Sequence, residues 1–261
     1  MRHQSNANTK DVVDKMYASI FCVLLLIFSA HSAVHRGPSH ISATVIIDYD
    51  GPIPVEKMRD MDYVSIFRSH IGSTTNDVSF PQLKSLAIIE SNLGNVPDGV
   101  MSAFPNLKDL SLEYTKITNF KMEDFNAMEK LEKLEIKGQK IETLKDNCLH
   151  KLKNLKRLVI SSADMTNIEN NAFKGLDNLE ELILNRNKLK NISKEVLAPL
   201  KKLKLLEMQY NGIEKFGPEN IPELPNLETL NLEMNPLDDM DLDAMKKLAP
   251  KLEDVRLAHV L

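Results

Sequence analysis

The sequence predicts an α/β solenoid, a stack of short coils that each hold one strand and one helical turn, over residues 61–261. The first observation is a strict 24-residue period: leucine recurs at Leu83, Leu107, Leu131, Leu155, Leu179, Leu203 and Leu227, then at Leu252 after one extra residue. A weaker copy, "MDYVSIFRSHI", starts at Met61, so about nine units begin at 61, 83, 107, 131, 155, 179, 203, 227 and 252. The second is that apolar residues alternate at the fourth and sixth positions of each unit, as in a strand. The third is an apolar pair spaced by three near the end of each unit, as in a helical turn.

The chain opens with Arg2, Lys10 and Lys15 ahead of the apolar run "IFCVLLLIF" (Ile20 to Phe28), which gives way to the small residues of "SAHSA". That order predicts a secretory signal peptide over residues 1–33 and a secreted, extracellular protein. Tyr17 through Ala30 would reach only about 21 Å as a helix, against a hydrocarbon layer of about 30 Å, so no stable membrane insertion is expected. Asp11 and Asp14 in the long leader make initiation at Met16 a second reading of the start. Residues 34–60 form an amino-terminal cap segment, in which "SATVIIDYDGPI" predicts a strand over Thr44 to Asp48 and a turn at Gly51 and Pro52. That strand is expected to cover the first coil.

Within the coils, the fourth position holds Leu86, Leu110, Leu134, Leu158, Leu182, Leu206 and Leu230, and the sixth holds Ile88, Leu112, Ile136, Ile160, Leu184, Met208 and Leu232. Apolar residues return at the eleventh and fourteenth positions, after the chain has turned, as Leu189 and Ile192 do. The closing pairs, such as Phe125 with Met128, Phe173 with Leu176, Leu197 with Leu200 and Met245 with Leu248, suit a single helical or 3₁₀ turn on the opposite side. A coil this short cannot bury its own apolar columns, so each must be covered by its neighbours.

The layout "LxxLxLxxNxL" followed by "xxLxxxxFxxLxx" resembles the leucine-rich repeat family, in its 24-residue extracellular type, over residues 61–261. The resemblance implies a horseshoe with a concave parallel β-sheet and short 3₁₀ or helical turns on the convex side. It extends to pattern-receptor ectodomains and to secreted leucine-rich immune proteins of insects. The ninth position, usually Asn in the family, reads Ser91, Thr115, Gln139, Ala163, Asn187, Asn211 and Asn235. An Asn amide both gives and takes hydrogen bonds, whereas Ala163 can do neither, so a less protected turn is expected there. Family members often cap the solenoid with disulfide-bonded modules, for which this sequence lacks the cysteines. The chain stops at "LEDVRLAHVL", after the strand of the ninth coil. An open parallel edge there invites a homodimer or heterodimer, cover by a partner, or an incomplete gene model as its explanation.

With 43% hydrophobic and 27% charged residues the chain is globular in composition, and its net charge of -4 arises from interspersed signs, so no nucleic-acid partner is expected. Removal of the leader takes Cys22 and leaves Cys148 as the remaining thiol, which excludes an intrachain disulfide. Cys148 falls in a register dominated by small apolar residues and reads either as a buried inert thiol or as an interchain disulfide. "NIS" at Asn191 is an N-glycosylation sequon. "DDMDLD", Asp238 to Asp243, reads as calcium-binding carboxylates or as acids at the start of a short helix. The loop lacks EF-hand spacing and the histidines show no HExxH context, so no metal site is predicted. With no phosphate loop, nucleophile elbow or acid/base constellation in the sequence, neither a cofactor nor enzymatic activity is expected.

Specificity is expected at the outward x positions of "LxxLxLxx". The seventh and eighth positions supply the ligand-binding candidates Phe67, Arg68, Ile89, Glu113, Tyr114, Asn185, Arg186, Gln209 and Tyr210. Tyr114 and Tyr210 lead them, and Phe67 with Ile89 forms an apolar patch. Strands about 4.8 Å apart make a face about 40 Å long, ample for a protein or glycan partner. The expected function is a secreted recognition module, in innate defence by the resemblance. An extracellular structural or adhesion module assembling through the carboxyl-terminal edge is the alternative, and an intracellular regulator follows only if the leader is retained.

Overall fold

The structure, a computed structural model, describes residues 43–47, 50–51, 61–67, 70–71, 79–95, 100–238 and 240–257. All belong to one compact unit, Ser42–Leu261. The signal-peptide segment, Arg68, Asp48 and Pro52 lie outside the described residues.

Ten strands form one sheet in chain order. They are β1 (Ala43–Ile47), β2 (Tyr63–Phe67), β3 (Ser85–Ile89), β4 (Asp109–Glu113), β5 (Lys133–Lys137), β6 (Arg157–Ser161), β7 (Glu181–Ile183), β8 (Leu205–Glu207), β9 (Thr229–Asn231) and β10 (Asp254–Arg256). Every neighbouring pair is parallel, because each coil returns to its starting side before the next strand begins. The register follows the repeat, with Leu110 opposite Leu134 and Leu134 opposite Leu158. The amino-terminal segment does cover the first coil: β1 pairs with β2 along its full length. The turn expected at Gly51 and Pro52 runs into residues outside those described. Asp50 and Gly51 pair in parallel with His70 and Ile71.

Leu182, Leu206 and their fourth-position counterparts point inward together with the sixth-position residues, and most of them are fully buried. The closing pairs line the opposite wall: Phe125, Met128, Phe173, Leu176, Leu197, Leu200 and Met245 join the same core. Phe125, Leu197 and Met245 sit in a 3₁₀ helix at Met122–Ala127 and in the α-helices α1 (Lys194–Leu197) and α2 (Leu242–Leu248), whereas Phe173 sits in a run of turns. Asp241, from the acidic run, caps α2: its carboxylate accepts from the Ala244 N–H at 2.9 Å. Among the described residues no helix is long and apolar enough to cross a membrane.

An asparagine ladder closes the turns that follow the strands. Asn187 Oδ1 accepts from the N–H groups of Ala163 and Met165, and its Nδ2 donates to the carbonyls of Ile160 and Leu184, at 2.8 to 3.2 Å. Asn211 and Asn235 repeat the pattern, so that the Leu184 and Met208 carbonyls each accept from two amides. The expectation of a less protected turn at Ala163 is therefore corrected in its place. Each amide serves the preceding coil, so the Ala163 N–H is closed by Asn187, and the missing side chain is felt one coil earlier. There the Ile141 N–H bonds to the backbone carbonyl of Ala163 at 2.8 Å. Gln139, one methylene longer than Asn, accepts from the usual N–H, that of Ile117, but donates to the Ile117 carbonyl in place of the strand-end carbonyls that the asparagines take.

Candidate recognition surface

Strand alternation decides which side chains face outward. In β4, Leu110 and Leu112 are buried while Asp109, Ser111 and Glu113 are half-exposed, and β3 and β5 repeat the pattern with small differences. The concave sheet face is therefore built from the third, fifth and seventh positions. The eighth position is different. Glu90, Tyr114, Gly138, Ser162, Arg186, Tyr210 and Met234 all have positive φ, between 49° and 66°. A left-handed residue ends the strand and turns the ninth residue inward to its ladder partners. The expectation that the seventh and eighth positions together form the sheet face is corrected accordingly: the seventh lies on it, and the eighth forms a ridge along the strand ends.

Of the candidates, Phe67, Ile89 and Glu113 stand side by side on neighbouring strands. Asn185 and Gln209 occupy the same register further along, just beyond the ends of β7 and β8. Tyr114 and Tyr210 are on the ridge, 49% and 43% exposed. The Tyr114 ring lies on Gly138, where a Cβ would come within 2.1 to 2.9 Å of it. The Arg186 guanidinium stacks over the Tyr210 ring, 4.4 Å from its centroid. Four coils separate the two tyrosines, about 19 Å at sheet spacing, so they are separate contact points and not one patch.

The third and fifth positions, absent from the sequence-derived candidates, join the seventh in an ion ladder across four strands. Lys137 Nζ bonds Glu113 at 2.9 Å and Glu135 at 3.1 Å, and Arg157 bonds Glu135 at 3.2 Å and also Glu181. Burial works against the Lys137 charge, but its bonds to Glu113 and Glu135 outweigh that cost and hold its pKa above the ordinary value. For Glu135, burial is likewise outweighed, by Lys137 and then Arg157, and its pKa is lowered. Asp109, beside this ladder, has its pKa raised by burial. Beyond Arg157 the face dips to the buried Val159, Ser161 and Ile183. Strand alternation itself was the signal for these positions: residues flanking the buried fourth and sixth must share the outer face.

Cys148 is 1% exposed, and burial pushes its thiol up to about 12. This supports the buried inert thiol, since an interchain disulfide would require the coil to open. Asn191 is exposed, and Ser193 of its sequon donates to Asn170 Oδ1 at 3.0 Å. Among the described residues no group of three or more His, Cys, Asp or Glu side chains is arranged to hold a metal.

In fold, the chain is similar to several solved structures. The TLR13–ssRNA13 complex matches with a TM-score of 0.65 and 19% identity, covering 79% of this chain and 30% of that one. The Toll–Spatzle complex of Drosophila, a molecular hub in development and innate immunity, matches at 0.58 and 17%, covering 79% and 31%. Internalin C2 of Listeria monocytogenes matches at 0.60 and 19%, covering 78% and 84%. The chain thus spans less than a third of the length of the two receptor structures. No curated protein sequence matches it. The leucine rich repeat model matches residues 81–141, 129–189 and 153–213, which together run from 81 to 213, 133 of 261 residues. With half of its length matched and its coils stacked as that repeat requires, the chain belongs to the leucine-rich repeat family.

Proposed function

We propose that this protein is a secreted recognition module of innate defence that binds a protein partner across its concave face and the adjoining ridge. The observation that carries this reading is the layout of the surface. The central charges neutralise one another, which lowers the cost of covering them, while Tyr114 and Tyr210 stand exposed beside them. Exposed aromatic side chains next to Arg are the residues on which binding energy concentrates. The fold shared with the TLR13–ssRNA13 and Toll–Spatzle complexes supports a ligand-binding role, and the leader at residues 1–33 supports secretion. The exposed Asn191 sequon is then an N-glycan site.

The test compares capture from extracellular fluid by the full chain and by the Tyr114→Ala/Tyr210→Ala variant. A partner retained by the first should be weakened at least tenfold by the second. Equal capture by both would remove the concave-face reading. A second reading, assembly through β10, is favoured by Val255 and Leu257, which pack on the core yet are only partly buried. Self-association that rises with concentration and is abolished by Val255→Glu/Leu257→Glu would support that reading.

A further inference from the structure

At the amino-terminal ends of the strands, away from the tyrosine ridge, the coils beginning at 107, 131, 155 and 179 enclose a depression of about 470 Å³. Two rows of side chains line it. The row at the second position is charge-matched: Glu132 lies 2.8 Å from both Lys108 and Lys156, and Glu180 lies 2.7 Å from Lys204. The row at the twenty-fourth position is not. Lys130 donates to the side-chain oxygen of Asn106, and Lys202 donates to Asn178 Oδ1 at 2.7 Å. A neutral amide fixes an ammonium in place without cancelling its charge. The lining holds four lysines and two glutamates, a local balance of +2 on a chain whose net charge is -4.

Lys130 and Lys202 stand three coils apart, about 14 Å at sheet spacing, too far for one anion and suited to two anionic groups on one chain. The asparagines between them are held rigid, since Asn154 Nδ2 donates to the Glu129 carbonyl and Asn178 Nδ2 to that of Lys153. Each amide nitrogen carries two N–H groups and gives one of them to these carbonyls, which leaves a second to meet a sugar hydroxyl. No aromatic side chain lines the depression to stack a nucleobase, and no apolar side chain lines it to enter a lipid layer. Glu132 and Glu180 would repel an unbroken line of phosphates yet can accept from hydroxyls. We propose that this depression binds a sulfated oligosaccharide, with Lys130 and Lys202 each taking a sulfate and the asparagines taking hydroxyls between them.

The experiment titrates the full chain against a fluorescently labelled, fully sulfated hexasaccharide and its desulfated counterpart, reading anisotropy. Saturable binding is expected, at least tenfold weaker for the desulfated sugar and for Lys130→Gln/Lys202→Gln. Tyr114→Ala/Tyr210→Ala should leave this affinity unchanged, which separates the site from the concave face. The absence of saturable binding, or equal affinity in the lysine variant, would overturn the proposal. So would stronger competition from single-stranded RNA or from phosphatidylserine vesicles than from the unlabelled hexasaccharide.

Discussion

Asn187 shows how one side chain can hold two coils together. Its five hydrogen bonds join backbone groups on both sides of a coil boundary, and it is buried. Replacing it with alanine strands donors and acceptors that water cannot reach, each at a cost of about 1 to 3 kcal/mol. Part of that loss is recoverable, because the natural Ala163 coil closes the equivalent Ile141 N–H through a backbone carbonyl. A net loss of about 1 to 3 kcal/mol is therefore expected for Asn187→Ala in urea unfolding. A loss below about 0.5 kcal/mol would mean that backbone closure is a full substitute and that the ladder contributes little.

At the level of the element, what was legible followed from burial. The strands, the convex turns and the capped helix α2 were all readable because their apolar spacing repeats and one missing leucine would open a cavity. Register and the cover by β1 follow from the same columns. The outer face was only half legible. Its residues obey no repeat, and the left-handed turn at the eighth position is set by backbone geometry that residues as different as Glu90, Tyr114 and Arg186 adopt alike. A second asparagine row at Asn106, Asn154, Asn178 and Asn226, each donating to a backbone carbonyl of the preceding coil, was present in the sequence as recurring "NL" pairs. The flanking charge row makes a pH prediction. Hydrogen bonds from Lys108 and then Lys156 lower the Glu132 pKa from 4.5 to about 2. Because the folded value is the lower one, this stabilisation is present above pH 4.5 and is lost as pH falls through about 2. Both lysines are more than half exposed, so solvent screening holds the contribution to about 0 to 1 kcal/mol. Thermal stability of the wild type should fall more steeply than that of Glu132→Gln between those pH values. Parallel curves would assign acid sensitivity to other carboxylates.

Across the whole molecule the two halves are built unequally. The asparagine ladder runs through Asn187, Asn211 and Asn235, whereas the earlier coils place Ser91, Thr115, Gln139 and Ala163 in the same register. The core does not follow that division: Leu86 and Ile88 keep 4% and 9% exposure, but Val64, Leu134 and Leu158 in the earlier coils are as fully buried as Leu182, Leu206 and Met208. Strand length points the other way, since β2 to β6 hold five residues each and β7 to β10 three. That difference is offset because inter-strand bonds continue past the short strands, from Leu184 N–H to the Glu207 carbonyl and from Met208 N–H to that of Asn231. The ladder should therefore decide the outcome. A solenoid opens locally, each coil answering mainly to its neighbours, so unequal coils should exchange unequally. The eleventh-position amides form a matched set: Leu93 and Ile141 donate to backbone carbonyls of Thr115 and Ala163, and Leu189 and Ile213 to the side-chain oxygens of Asn211 and Asn235. Native-state hydrogen exchange should be at least about tenfold faster at the first two than at the last two, a difference of about 1.4 kcal/mol in opening free energy. Uniform exchange across the four would show that the ladder does not set local stability. The faster end would also be the one that carries Phe67 and Ile89, where a bound partner has the most local motion to quench.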